Sequence, residues 1–202
     1  TLNKTEMKSL LKINREINDL IDTDHIAHNI NWQVEKINFD NTFSYGEKNY
    51  IDFTNLQGVT GIFAPNASGK SSIFLTVLYA LYNTTPYILR TEEVVNKLKN
   101  SCFVEVFLRV GSTRYRIQRG TAVPNMARKR GAKSHYERYS VRTSLDFAQE
   151  QDGEWVSLNG KQRTETEVNI RSVFGTYNDF LITSLSTQGQ VERFLNLRET
   201  DR

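Results

Sequence analysis

Apolar and polar residues alternate along "NWQVEKINFDNTFSYGEKNYIDF", with turn formers at Asn41, Gly46 and Asn49. That period of two predicts two short strands joined by a turn. The next run, "GVTGIFA", is nearly continuous in apolar and small residues and predicts a buried strand. It leads through the loop "PNASGK" into "SSIFLTVLYALYN". There Ile73, Phe74, Val77, Leu78 and Leu81 recur at helical spacing and predict an apolar helix face, stopped before Pro86. "FVEVFLRVGSTRYRIQRG" predicts a hairpin turning at Gly111 and Ser112. "YSVRTSLDF" and "EWVSL" add two strand-like runs. "TETEVNIRSVFGTYNDFLITSL" predicts a helix, a turn at Gly175 and a mostly apolar stretch. Strands followed by a loop and an apolar helix make an α/β fold the expected class.

The first residues differ in texture. "TEMKSLLKINREINDLID" places Met7, Leu10, Ile13 or Ile17, and Leu20 or Ile21 at helical spacing, with Thr5 as a cap. So polar a helix must dock on something, and residues 1–30 are expected to be a helical appendage to a domain over residues 31–202. The chain starts at Thr1 without a methionine, which suggests trimming from a longer protein.

Composition adds exclusions. A chain of 202 residues, 38% hydrophobic and 24% charged, suits one soluble domain, with or without an appendage. The single cysteine, Cys102, excludes an internal disulfide and a cysteine-built metal cage, and makes a reducing, cytoplasmic setting the expectation. His25, His28 and His135 fit no zinc spacing. The longest apolar run, "IFLTVLYALY", is too short to span a bilayer. A net charge of +3 says little about partners, so the placement of charge matters more.

The candidate chemistry sits between the apolar run and the helix. Phosphate-binding loops follow G-x-x-x-x-G-K-[ST], and "APNASGKS" keeps that register with Ala64 in place of the first glycine. A run of backbone N–H groups opening into a helix N-terminus makes a concave anion site, and small residues let phosphates approach the main chain. Alanine nearly satisfies the need for a small residue at the first position, while a side chain in place of Gly69 would collide with the phosphates. Lys70 would reach the β- and γ-phosphates and the Ser71 hydroxyl would bind Mg²⁺. The alternative is a glycine-containing turn followed by Lys-Ser by chance. The preceding apolar run and the following apolar helix argue against it.

Hydrolysis ordinarily also needs an acid at the end of a second buried strand. "SLDF" at Asp146 is the nearest candidate, but Arg142, Thr143 and Ser144 before it make a poor buried strand, and Asp179 in "NDFLITSL" falls at the wrong end. The chain is therefore expected to hold half of a catalytic site.

"APNASGKSS" and "LSTQGQVERFLN" together resemble the SbcC / Rad-fifty family of DNA-repair ATPases, SMC-like members of the ABC ATPase superfamily. The likeness runs from Trp32 to the end, is supported by "NTFSYGEKNYIDF" and "YRIQRG", and extends to phage-encoded members. It implies the N-terminal lobe of an ABC-type head, with a mixed or antiparallel β-subdomain, a P-loop helix and a helical Q-loop region. By that resemblance Asn66, Ala67, Ser68, Gly69, Lys70, Ser71 and Ser72 wrap the phosphates of ATP. Gln188 is the Q-loop glutamine, touching Mg²⁺ and the attacking water, so that Lys70 and Gln188 are the catalytic pair. Asn41 and Ser44 fall where the family contacts base and ribose, although Phe43 replaces the arginine common before that serine. "FLNLRETDR" would begin a coiled coil. The signature motif, acidic strand, switch histidine, coiled coil and CxxC hook all follow the Q-loop in this family, so the resemblance implies truncation. The partners it implies are the C-terminal half of the same ATPase, a second head and an SbcD / Mre-eleven-type nuclease.

Between Arg114 and Arg142 lie Arg116, Arg119, Arg128, Lys129, Arg130, Lys133 and Arg138, with Glu137 the only acid. Such a cluster suits phosphate backbones and carries no base specificity. Arg128, Lys129, Arg130 and Lys133 are the candidate contacts to double-stranded DNA, against the plainer reading of a solvated loop. Two functions other than a nuclease-coupled head stay open: an SMC- or RecF-like DNA clamp, and a P-loop kinase, for which no lid or acidic base is legible.

Overall fold

The computed structural model describes residues 31–56, 58–87, 90–123 and 141–183. The appendage expected over residues 1–30, the arm with Arg128, Lys129, Arg130 and Lys133, and the segment with Gln188 lie outside the described residues.

Six strands form one sheet in the order β2-β1-β3-β4-β5-β6. They are β1 (Trp32–Asp40), β2 (Asn49–Asp52), β3 (Ser101–Val110), β4 (Thr113–Ala122), β5 (Arg142–Gln151) and β6 (Glu154–Ser157). Every neighbouring pair is antiparallel. The period-two pattern works as expected on β3: Cys102, Val104, Val106 and Leu108 are buried, while Ser101, Phe103, Glu105 and Phe107 alternate with them on the other face. Among the described residues the α-helices are α1 (Lys70–Tyr82), between β2 and β3 in the chain, and α2 (Arg163–Phe174) and α3 (Tyr177–Thr183), after β6.

α1 packs on the buried face of the sheet. Ile73, Val77, Tyr79, Ala80 and Leu81 join Ile37, Phe39, Val104, Val106, Leu108, Ile117 and Phe147 in one core. The expected helix face needs one correction. Phe74 points outward and is 48% exposed, whereas Leu75, Thr76 and Tyr79 are buried. The helix is covered on more sides than a surface helix, so a single apolar stripe was the wrong template. Asn83 ends it in a left-handed conformation, its N–H donating to Tyr79 O. The Tyr79 hydroxyl lies 2.6 Å from Thr121 Oγ1, and burial raises its pKa far above the ordinary tyrosine value.

α2 and α3 close one end of the sheet through aromatic rings. Trp32 Nε1 donates to Phe174 O at 3.2 Å, and its ring stacks on Phe180 at 5.2 Å. Phe174 meets Tyr115 and Phe147 in edge contacts. Gly175 caps α2 with a φ of 81°, as the turn expectation required. Thr176 and Asp179 then exchange side-chain-to-backbone bonds that start α3.

A second correction concerns "GVTGIFA". Residues 58–64 form no strand and are exposed; Val59 and Phe63 are 103% and 95% exposed. An apolar run becomes a buried strand only with neighbours to pair with and a layer to cover it. Neither edge of the six-stranded sheet takes it up among the described residues.

The sheet face opposite α1 carries ion pairs. Glu35 is bound by Arg109 at 3.0 Å and by Arg114 at 2.7 Å, and Arg114 also reaches Glu150 at 3.1 Å. Arg116 pairs with Asp146 at 3.3 Å and sits 5.1 Å over the Trp155 ring. Arg114, Arg116 and Arg119 thus do not belong to a free basic surface, as the spacing along the chain had suggested. Arg114 and Arg116 have acids on neighbouring strands, whereas Arg119 is buried on the α1 face and pairs with Glu167 of α2. No helix among the described residues is long and apolar enough to cross a membrane.

Candidate nucleotide site

The loop over residues 65–69 turns into α1 through two left-handed residues, Ala67 at φ 61° and Gly69 at φ 92°. Successive turns of this kind point backbone N–H groups inward and leave a small concavity. α1 starts without a side-chain cap and without an acid in its first turn. In contrast, α2 carries Glu165 and α3 carries Asp179 there. The first N–H groups of a helix have no partner within it, and the helix dipole adds positive potential at that end. The start of α1 is therefore uncapped and carries the positive potential that the phosphate expectation needs.

Lys70 lies over the loop. Its Nζ donates to Ala64 O at 2.7 Å and to Pro65 O at 2.8 Å. These carbonyls hold the ammonium beside the cradle, and a stronger anionic acceptor can exchange with them. The Ser71 side chain is exposed, and Ser72 donates its N–H to Gly69 O at 2.9 Å. Asn66, Ala67 and Ser68 are exposed around the loop. A side chain at Gly69 is doubly excluded, because its φ is positive and an added Cβ would lie 2.8 Å from Ser44 Oγ.

That contact brings the two halves of the expected site together. The turn from Asn41 to Gly46 packs against the start of α1: Ser44 and Tyr45 border Gly69, and Thr42 Oγ1 lies 3.4 Å from Thr76 Oγ1. Asn41 has a φ of 54°, and its side-chain oxygen is buried with no partner among the described residues. A buried acceptor without a donor is uncommon and suits a ligand amino or hydroxyl group. The turn is braced by residues 91–96, with Phe43 N donating to Val94 O and Asn96 N to Asn41 O. Tyr45 escaped the sequence reading; a tyrosine in a turn carries no motif, and only its proximity to Gly69 marks it.

The acids do not complete the site. Asp146 accepts from Arg116 and from Asn159 on the far face of the sheet, and Asp179 is occupied in capping α3. No metal-holding cluster of His, Cys, Asp and Glu exists among the described residues. Oxygen donors for Mg²⁺ at the cradle would come from Ser71 and from phosphate oxygens, a hard donor set that suits this ion.

Comparison with known proteins fits this geometry. Residues 36–201 match the family described as AAA domain, AAA_23. The chain belongs to this AAA-domain family. Its fold is similar to a solved structure from work on ATP-driven dimerization and DNA-stimulated activation of SMC ATPases, with a TM-score of 0.53 at 16% identity. That match covers 84% of this chain and 94% of the other, and at such identity it concerns the fold alone. The α/β head expected from the sequence is therefore the observed class. The AAA domain is also 32% identical over 176 residues to "Uncharacterized protein R555" of Acanthamoeba polyphaga mimivirus. The alignment covers 85% of this chain but only 12% of the mimivirus protein.

Proposed function

We propose that this AAA domain is the ATP-binding half of an SMC-like, DNA-associated ATPase head, acting in double-strand-break repair or recombination. The observation that carries the reading is the uncapped start of α1, with Lys70 folded over the loop before it. Asn66 to Ser72 wrap the phosphates, Ser71 and Gln188 hold Mg²⁺, and Asn41 and Ser44 receive the base and ribose. Two such heads would close on ATP and reopen on hydrolysis, since a ligand shifts a conformational equilibrium only by its difference in affinity for the two states.

The exposed run at residues 58–64 supports a head completed from elsewhere. Its place outside the described sheet and the bare Val59 and Phe63 side chains are what a strand looks like before its neighbours arrive. We assign the missing strands, and the acid for catalysis, to a C-terminal half of the same protein. The present chain should then bind ATP–Mg²⁺ but turn it over barely. Adding that half should restore turnover, and Gln188→Ala in the completed head should abolish it in a steady-state phosphate-release assay. Wild-type turnover in that variant would remove Gln188 from the site.

The closed and open heads would govern access of a partner nuclease of the SbcD / Mre-eleven type to DNA. The second reading is a DNA clamp without a nuclease, and co-purification of nuclease activity separates the two. The cations on the ion-paired face of the sheet are already matched by acids, so the arm, and not that face, is the proposed DNA contact. Reversing Arg128, Lys129 and Arg130 to glutamate should weaken duplex binding and flatten its dependence on salt concentration in a fluorescence-anisotropy titration. Unchanged affinity and slope would take the arm off the DNA surface.

A further inference from the structure

We propose that Tyr45 is a positioning residue for the phosphate site: by holding the Gly69 carbonyl, its hydroxyl aims the Lys70 N–H at the bound phosphates. The inference rests on the reading of the α1 start as a nucleotide cradle. The Tyr45 hydroxyl donates to Gly69 O at 3.1 Å. A peptide unit is planar and trans, so its C=O and the following N–H point in opposite directions within one plane. Ser72 N–H also donates to the Gly69 carbonyl, from within the helix, at 2.9 Å. The Tyr45 bond holds that carbonyl from outside the helix, and with it the Lys70 N–H, one of the first donors of the helix, which have no partner within it.

Gly69 is where such control is needed. It adopts a φ of 92°, it carries no side chain to limit its torsions, and no side chain caps the helix there. Tyr45 is itself held on three sides. Its N–H donates to Thr42 O at 2.9 Å, and its carbonyl accepts from Asn96 Nδ2 at 2.8 Å. Its ring meets Phe39, a core residue, edge-on at 5.1 Å. The phenol is a fixed post built on β1 and on the segment around Asn96.

The same turn makes a second contact with α1, farther along the helix than the Gly69–Lys70 peptide. Thr42 Oγ1 approaches Thr76 Oγ1, whose hydroxyl also donates to Ser72 O at 2.7 Å. Losing Thr42 Oγ1 disturbs the docking of turn and helix but leaves the Gly69–Lys70 peptide alone. That separates a structural role from an aiming role.

The test measures affinity for ATP–Mg²⁺ and for tripolyphosphate, which has no base or ribose, by displacement of a fluorescent ATP analogue from the 202-residue chain. Tyr45→Phe keeps the ring and removes the hydroxyl. It should weaken both ligands by the same factor, about five- to tenfold for one hydrogen bond, while Thr42→Val weakens neither. Equal losses in Tyr45→Phe and Thr42→Val would reduce Tyr45 to a packing residue. Wild-type affinities in Tyr45→Phe, or a loss confined to ATP, would also overturn the proposal, the latter by pointing to a base contact. Lys70→Ala is run alongside: unaltered binding of both ligands there would bring down the nucleotide reading itself and not merely the part assigned to Tyr45.

Discussion

Lys70→Ala should lower the affinity of the chain for ATP–Mg²⁺ by about a hundredfold, the equivalent of about 3 kcal/mol from one charge-assisted contact to phosphate. In the absence of nucleotide the ammonium is held by two neutral carbonyls, Ala64 O and Pro65 O. A phosphate oxygen with formal charge is the better acceptor, so the side chain gains by exchanging partners. The loss should appear for ATP and ADP and vanish for adenosine, which offers no phosphate. Folding should be little affected, since Lys70 is half-buried at the helix start and its two bonds are to exposed loop carbonyls. Isothermal titration of the three ligands checks this pattern. Equal losses for adenosine would mean the site had collapsed and not that a contact had been removed.

Arg119→Ala should cost about 3–5 kcal/mol of stability, the range for breaking a buried ionic contact. Arg119 is fully buried on β4. Its Nε donates at 2.9 Å to Ala80 O, a carbonyl in the last turn of α1 that has no helical partner. Its Nη1 pairs with Glu167 of α2 at 3.4 Å, while Nη2 has no partner among the described residues. Burial lowers the pKa of this guanidinium against the pull of Glu167, so the charge is held at a cost. Truncation would leave a cavity, an unsatisfied carbonyl and Glu167 short of one cation. Arg119→Met fills most of the same volume without the charge and should cost clearly less, because apolar replacement of a buried ion is often tolerated. Urea denaturation of the two variants measures the difference. Equal losses would mean that side-chain volume contributes little at this position.

The strands and helices were legible because their patterns are local. β3 and β4 alternate around the Gly111–Ser112 turn, and α1 follows a loop whose small residues announce its geometry. The cradle was legible for the same reason: its residues are contiguous, so spacing alone sets them in register. What escaped depends on residues distant in the chain. Arg119 sits in a basic stretch of sequence, and only the approach of α1 and α2 makes it a core residue. Tyr45 gains meaning from Gly69, which the fold brings to it. "GVTGIFA" has the composition of a buried strand, but composition cannot supply the neighbours a strand must pair with.

One titration addresses the central claim most directly. Backbone amide resonances of the chain, followed as ATP–Mg²⁺ is added, should shift most at Gly69, Lys70, Ser71 and Ser72, with smaller changes at Asn41 and Ser44. Saturable binding that moves amides elsewhere on the sheet and leaves the start of α1 untouched would contradict the account.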